Sequence, residues 1–188
     1  MIRKHSWHYI DLDRQFIDYS GDIADPEVAA LQSYLAGFYG HSRGFGWDKL
    51  LESRYVVVLG EPGSGKSVEL EQRAEFLQRQ GIYAFFVRLD QLVNGPLHGG
   101  LESGDQALFR QWRRRRDQAT FFLDSVDETK LVKIEAFSDA LRHFTQEIGE
   151  RDLERCRLII SSRISEWRAE ADRVELQRTF QMIRPGGG

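Results

Sequence analysis

The stretch Gly60-Glu61-Pro62-Gly63-Ser64-Gly65-Lys66-Ser67 constrains this chain more than any other. It fits the phosphate-binding loop pattern G-x-x-x-x-G-K-[ST] at every specified position. Its surroundings fit as well. Tyr55–Leu59 reads as a buried strand entering the loop, and a helix-forming run from Lys66 leaves it. Glycines let a backbone curl around phosphates with its N–H groups turned inward, and the following helix N-terminus adds partial positive charge. In such a loop Lys66 reaches the β- and γ-phosphates and the Ser67 hydroxyl serves Mg²⁺. The alternative is a glycine-rich turn between strand and helix.

A second acidic cluster extends the reading from nucleotide binding to hydrolysis. Ala119–Leu123 is an apolar run that ends in Asp124. A buried parallel strand that delivers a carboxylate at its C-terminal end suits the second Mg²⁺ position. Asp127 and Glu128 follow at once, where carboxylates orient or deprotonate a water opposite the γ-phosphate. The competing reading of Asp127 and Glu128 is that they cap the next helix.

Elsewhere the pattern alternates strand and helix, which predicts an α/β fold with a parallel sheet covered on both faces. Candidate strands are Tyr55–Leu59, Tyr83–Leu89, Ala119–Leu123, Arg157–Ser161 and, more weakly, Thr179–Ile183. One helix is expected from Lys66 to Gln80. Another carries Ile134, Phe137, Leu141, Phe144 and Ile148 at helical spacing and closes at Gly149. With 188 residues, 41% hydrophobic and 12% aromatic, the chain can bury one real core. The net charge of −3 gives no general attraction to nucleic acid. No apolar run approaches the ~20 residues of a membrane span. A single cysteine, Cys156, leaves no internal disulfide and, with a nucleotide site, suits a reducing cytoplasmic setting.

The strings GEPGSGKS, FFLDSVDE and LIISSR together resemble the NACHT-type branch of the STAND signalling ATPases, over roughly residues 47–185. Asp124, Ser125, Val126, Asp127 and Glu128 match that branch's order of aspartate, small residue, hydrophobic residue and acidic pair. The resemblance implies a three-layer α/β/α P-loop NTPase core with a mostly parallel five-stranded sheet, order 5-1-4-3-2. It implies that Asp124 serves Mg²⁺, that Asp127 and Glu128 serve hydrolysis, and that Arg163 senses the γ-phosphate. It also implies slow turnover of ATP to ADP as a signalling or defence switch whose ATP state assembles, possible as a homo-oligomer. Relatives of this kind continue into a helical lid, a winged-helix segment and sensor repeats. This chain ends after its fifth candidate strand, so it is expected to be a fragment or a minimal module.

Residues 1–46 read as an N-terminal helical extension, with a helix opening at Asp25-Pro26, and residues 186–188 as a disordered tail. Trp47, Leu50 and Leu51 suggest a short helix, with Trp47 packed rather than placed against a base. Arg110 and Arg113–Arg116 complement a helix C-terminus and face solvent, or else meet a partner. Gln91–Gly104 reads as a mobile loop without assignable chemistry. The five histidines show no metal-ligand spacing. A GTPase is disfavoured because no Asn-Lys-x-Asp string occurs. A small-molecule kinase stays open because the same loop serves it, although no arginine-rich lid is evident after the third strand and the Asp127-Glu128 pair fits water activation better than phosphoryl transfer to a metabolite. Two other classes fit the same residues: a nucleotide-binding scaffold that does not hydrolyse, and an ATPase stimulated by nucleic acid through Arg113–Arg116.

Overall fold

The computed structural model describes residues 16, 46–92, 95–101, 104–124, 134–163, 174, 176 and 178–180, and the statements that follow are confined to them. In chain order the elements are α1 (Trp47–Leu50), β1 (Tyr55–Leu59), α2 (Lys66–Arg79), β2 (Tyr83–Arg88), α3 (Leu89–Leu92), α4 (Leu97–Gly100), α5 (Asp105–Arg114), β3 (Ala119–Asp124), α6 (Ile134–Ile148), α7 (Glu150–Leu153) and β4 (Cys156–Ser162). The four strands form one parallel sheet in the order β1-β4-β3-β2.

Period-two alternation sorts the strand residues onto two faces. Ala84, Phe86, Phe122 and Ile159 pack with α1 and α2 through Trp47, Leu50, Leu70, Ala74 and Leu77. Phe85, Val87, Phe121, Leu123, Leu158 and Ile160 pack on the other side with Phe109 and Trp112 of α5 and Leu141, Phe144 and Ile148 of α6. The sheet is therefore sandwiched between two helical layers, as the near-continuous apolar strands require. Phe85, Phe109, Trp112, Phe121 and Phe144 form a connected aromatic cluster with ring centroids 5.0–6.3 Å apart. Such pairs add about 0.5–1.5 kcal/mol each beyond area burial.

Several expectations need correction. Leu89 opens α3 instead of ending β2, and its side chain is buried in the same core as Val87. Gln91–Gly104 is not a plain loop where it is described: it holds the end of α3 and all of α4. Leu92, Leu97 and Leu101 are buried, and Leu101 bridges to Val87. The strand expected over Thr179–Ile183 is helical at Thr179 and Phe180, and residues 181–183 lie outside the described residues. Leu176 and Phe180, four residues apart, share a helical face toward the core. Phe180 also stacks on Tyr55 at the outer edge of β1, centroids 4.7 Å apart. Of the extension 1–46, only Phe16 and Gly46 are described, and Phe16 meets Trp47 edge-on at 5.0 Å. The tail 186–188 lies outside the described residues.

The basic run divides. Arg113 donates to the carbonyls of Glu147 and Ile148 at the end of α6, 3.1 Å each, and pairs with Asp152 at 3.3 Å. It therefore caps a neighbouring helix as well as ending its own. Arg110, Arg114, Arg115 and Arg116 are exposed. Among the described residues, no helix is long and apolar enough to cross a membrane.

Candidate functional site

The carboxyl ends of all four strands meet along one edge of the sheet, the edge where open parallel sheets bind ligands. Gly60–Ser67 leaves β1 at this edge. The Gly60 amide donates to the carbonyl of Ser162 at 3.2 Å, which ties the loop to the end of β4. Gly63 and Gly65 have φ of 71° and 80°, a conformation that L side chains rarely adopt. A Cβ on Gly60 would lie 3.1 Å from Lys66 Cδ and 3.3 Å from Ser64 Oγ. Backbone conformation thus favours glycine at positions 63 and 65, while Gly60 lies close against the Lys66 and Ser64 side chains.

Lys66, the first residue of α2, folds back across the loop. Its Nζ donates to the carbonyls of Gly60 (2.6 Å) and Glu61 (2.8 Å) and to Ser64 Oγ (3.3 Å). The loop is thereby wrapped around its own ammonium group. Ser67 follows in the first turn of α2, half-buried. Glu61, Pro62, Gly63 and Gly65 are exposed at the loop's rim.

Asp124 ends β3 and is only 2% exposed. It points to the α2 face, as the alternation from Phe122 dictates. Ser161 of β4 donates to its Oδ1 at 2.5 Å. Its Oδ2 is buried and has no hydrogen-bond partner among the described residues. Burial pushes the Asp124 carboxyl above its ordinary range. The Ser161 hydrogen bond, the nearby Ser67 hydroxyl, and the cations of Lys66 and Arg88 oppose that shift. Ser67 favours the carboxylate by proximity, without a hydrogen bond of good geometry to Oδ2. A buried acceptor left open beside a serine hydroxyl is the donor set that a hard divalent cation such as Mg²⁺ takes up.

The structure therefore brings together Gly60 to Ser67 and Asp124, with Arg163 immediately after β4. Arg163 is half-buried, its Nε is shielded from solvent, and it follows the residue that accepts from Gly60. Asp127 and Glu128 lie outside the described residues. Ser161 and Arg88 were not singled out as site residues by sequence reasoning. The available signal was position: Arg88 ends β2, Ser161 is the penultimate residue of β4, and both share the sheet face of Asp124.

Behind the loop, Trp47 Nε1 donates to Glu69 Oε1 at 2.7 Å, in a buried contact. Arg73 lies 3.9 Å from the same carboxylate and 5.0 Å over the Trp47 ring. This cluster fixes α1 against the first turns of α2, two residues after Ser67. Trp47 thus has the packing role expected of it. Set against protein families and curated proteins, the chain matches no family model and no curated protein.

Proposed function

We propose that this chain is the core of a P-loop ATPase that binds Mg·ATP on Gly60–Ser67 and hydrolyses it slowly, as a nucleotide-controlled switch of the NACHT kind. The observation that carries the reading is the pairing of two features at one sheet edge. A glycine loop is wrapped around Lys66, and beside it lies a buried aspartate whose second oxygen is unsatisfied. A structural reading explains neither well. Burying a carboxylate without full compensation costs roughly 1–3 kcal/mol or more. The strand order β1-β4-β3-β2 forms a continuous part of the order 5-1-4-3-2 that the resemblance implies.

In this reading Lys66 exchanges loop carbonyls for β- and γ-phosphate oxygens, and the loop amides face the phosphate chain. Ser67 and Asp124 hold Mg²⁺, which would neutralise charge that develops on the phosphates. Ser161 holds Asp124 in place through Oδ1 and leaves Oδ2 for the metal. Asp127 and Glu128 orient the attacking water and take its proton, and Arg163 meets the γ-phosphate. The switch partners are further copies of the chain or sensor and effector domains joined to it. The setting is the cytoplasm, where the lone thiol stays reduced.

The test is the binding and turnover of Mg·ATP by the purified chain, with its co-purifying nucleotide identified after denaturation. Lys66→Ala should lower affinity for ATP and ADP by at least about 100-fold, as loss of a charge-assisted contact to both phosphates implies. Asp127→Asn and Glu128→Gln should retain binding and slow phosphate release. Stoichiometric binding without phosphate release would replace the ATPase with a nucleotide-binding scaffold. Absence of binding by the wild-type chain would overturn the reading.

A further inference from the structure

Arg88, the last residue of β2, is the register partner of Asp124. The alternation from Ala84 and Phe86 turns its side chain to the α2 face, the same face as Asp124 and Ser161. Ser161, Asp124 and Arg88 therefore form a row across three neighbouring strands, on the side where α2 and the loop stand.

The surroundings of Arg88 are poor for an ion pair that serves stability. Its Nη2 meets Asp90 Oδ2 at a long 3.4 Å. Its Nε is buried without a partner, and so is Asp90 Oδ1. The Asp90 side chain is 5% exposed and is fixed by α3, whose Leu89 and Leu92 are buried on either side of it. The Arg88 side chain is 41% exposed. A pair that leaves polar atoms of both partners buried and unsatisfied gains little for the fold. What it achieves is orientation: an anchored carboxylate holds a guanidinium whose outer donors stay accessible.

The sheet order sets what such a group can reach. The loop leaves β1, and Asp124 lies two strands away, on β3. Arg88 lies one strand further, so a phosphate chain laid from the loop toward Asp124 approaches it only with its terminal group. An extended arginine side chain exceeds the ~4.8 Å spacing between neighbouring strands. Its planar fork matches phosphate oxygens better than a lysine does.

We propose that Arg88, held by Asp90, is a specificity-determining residue that contacts the terminal phosphate and so distinguishes the triphosphate from the diphosphate. This rests on the reading of Gly60–Ser67 as the nucleotide site. It adds a contact from β2 to that expected of Arg163 after β4.

The test is calorimetric titration of the whole chain with ADP and with a non-hydrolysable ATP analogue, both with excess Mg²⁺. Arg88→Ala should weaken the ATP analogue by about tenfold or more, the size of a lost charge-assisted hydrogen bond, and leave ADP within about twofold. Arg88→Lys should fall between wild type and Arg88→Ala. Asp90→Asn should show a smaller loss in the same sense. Lys66→Ala is the control and should weaken both ligands. An unchanged ratio of the two affinities in the Arg88 variants, with wild type binding normally, would overturn the role of Arg88 alone. Wild type that binds neither ligand would overturn the nucleotide reading and this inference with it. If circular dichroism shows that Arg88→Ala does not fold, the ratio measured for Arg88→Lys and Arg88→Gln decides.

Discussion

At the scale of single residues, the site is a set of small electrostatic imbalances. Asp124 is the clearest. Burial raises its pKa, so the native state keeps a proton that the unfolded chain has already lost over an interval above about pH 4. Stability therefore falls as pH rises through that interval, the opposite of a salt-bridged carboxylate. Asp124→Asn removes the buried charge. Its melting temperature without nucleotide should equal or exceed that of wild type at neutral pH, while Mg²⁺-dependent ATP affinity falls by at least about tenfold. A melting temperature well below wild type would show that the carboxylate is structural. Trp47 and Glu69 have the opposite character, because their 2.7 Å hydrogen bond satisfies a buried carboxylate. The aspartate was legible in the sequence because an apolar run ends in it. Its partner Ser161 was not, because the meaning of a serine at a strand end depends on which strand lies beside it.

At the scale of elements, helical periodicity fixed α2 and α6 well. The expected end of α2 lay one residue beyond the observed Arg79, and of the expected stripe Leu141, Phe144 and Ile148 are buried, the side chains of Ile134 and Phe137 lying outside the description. Phe144 is 0% exposed and meets Phe121 edge-on at 5.3 Å, which couples α6 to the strand that carries Asp124. Phe144→Ala should cost about 3–5 kcal/mol in urea denaturation through the cavity it leaves. A loss below about 1 kcal/mol would mean that α6 docks less firmly on β3 than this packing indicates. The segment after β2 was misread because its glycines and proline suggest a loop. Leu92, Leu97 and Leu101 nevertheless bury there, since two four-residue helices let a short chain cover the exposed flank of the sheet. Local composition carries no record of such a flank.

At the scale of the whole molecule, the only cysteine is sealed inside the packed layers. Cys156 opens β4, is buried, and donates to the carbonyl of Asp152 at 3.2 Å. Burial pushes its thiol far above the ordinary range. Thiol reagents at neutral pH should modify it only on unfolding, so labelling should track the denaturation curve. Rapid labelling of the folded chain would contradict the packing. Above about pH 8.5 the unfolded chain loses a proton that the native chain keeps, so stability should fall with rising pH. The sequence by itself determined the alternation of strands and helices, the geometry of the glycine loop and the buried strand that ends in Asp124. Each follows from local sterics or from periodicity along a short stretch. Tertiary structure alone decided the strand order, the hydrogen bond from Ser161 to Asp124, the division of labour among the arginines and the placing of Arg88 beside Asp124. Those depend on which distant strands become neighbours, and a linear pattern of apolar residues leaves that choice open until the layers pack.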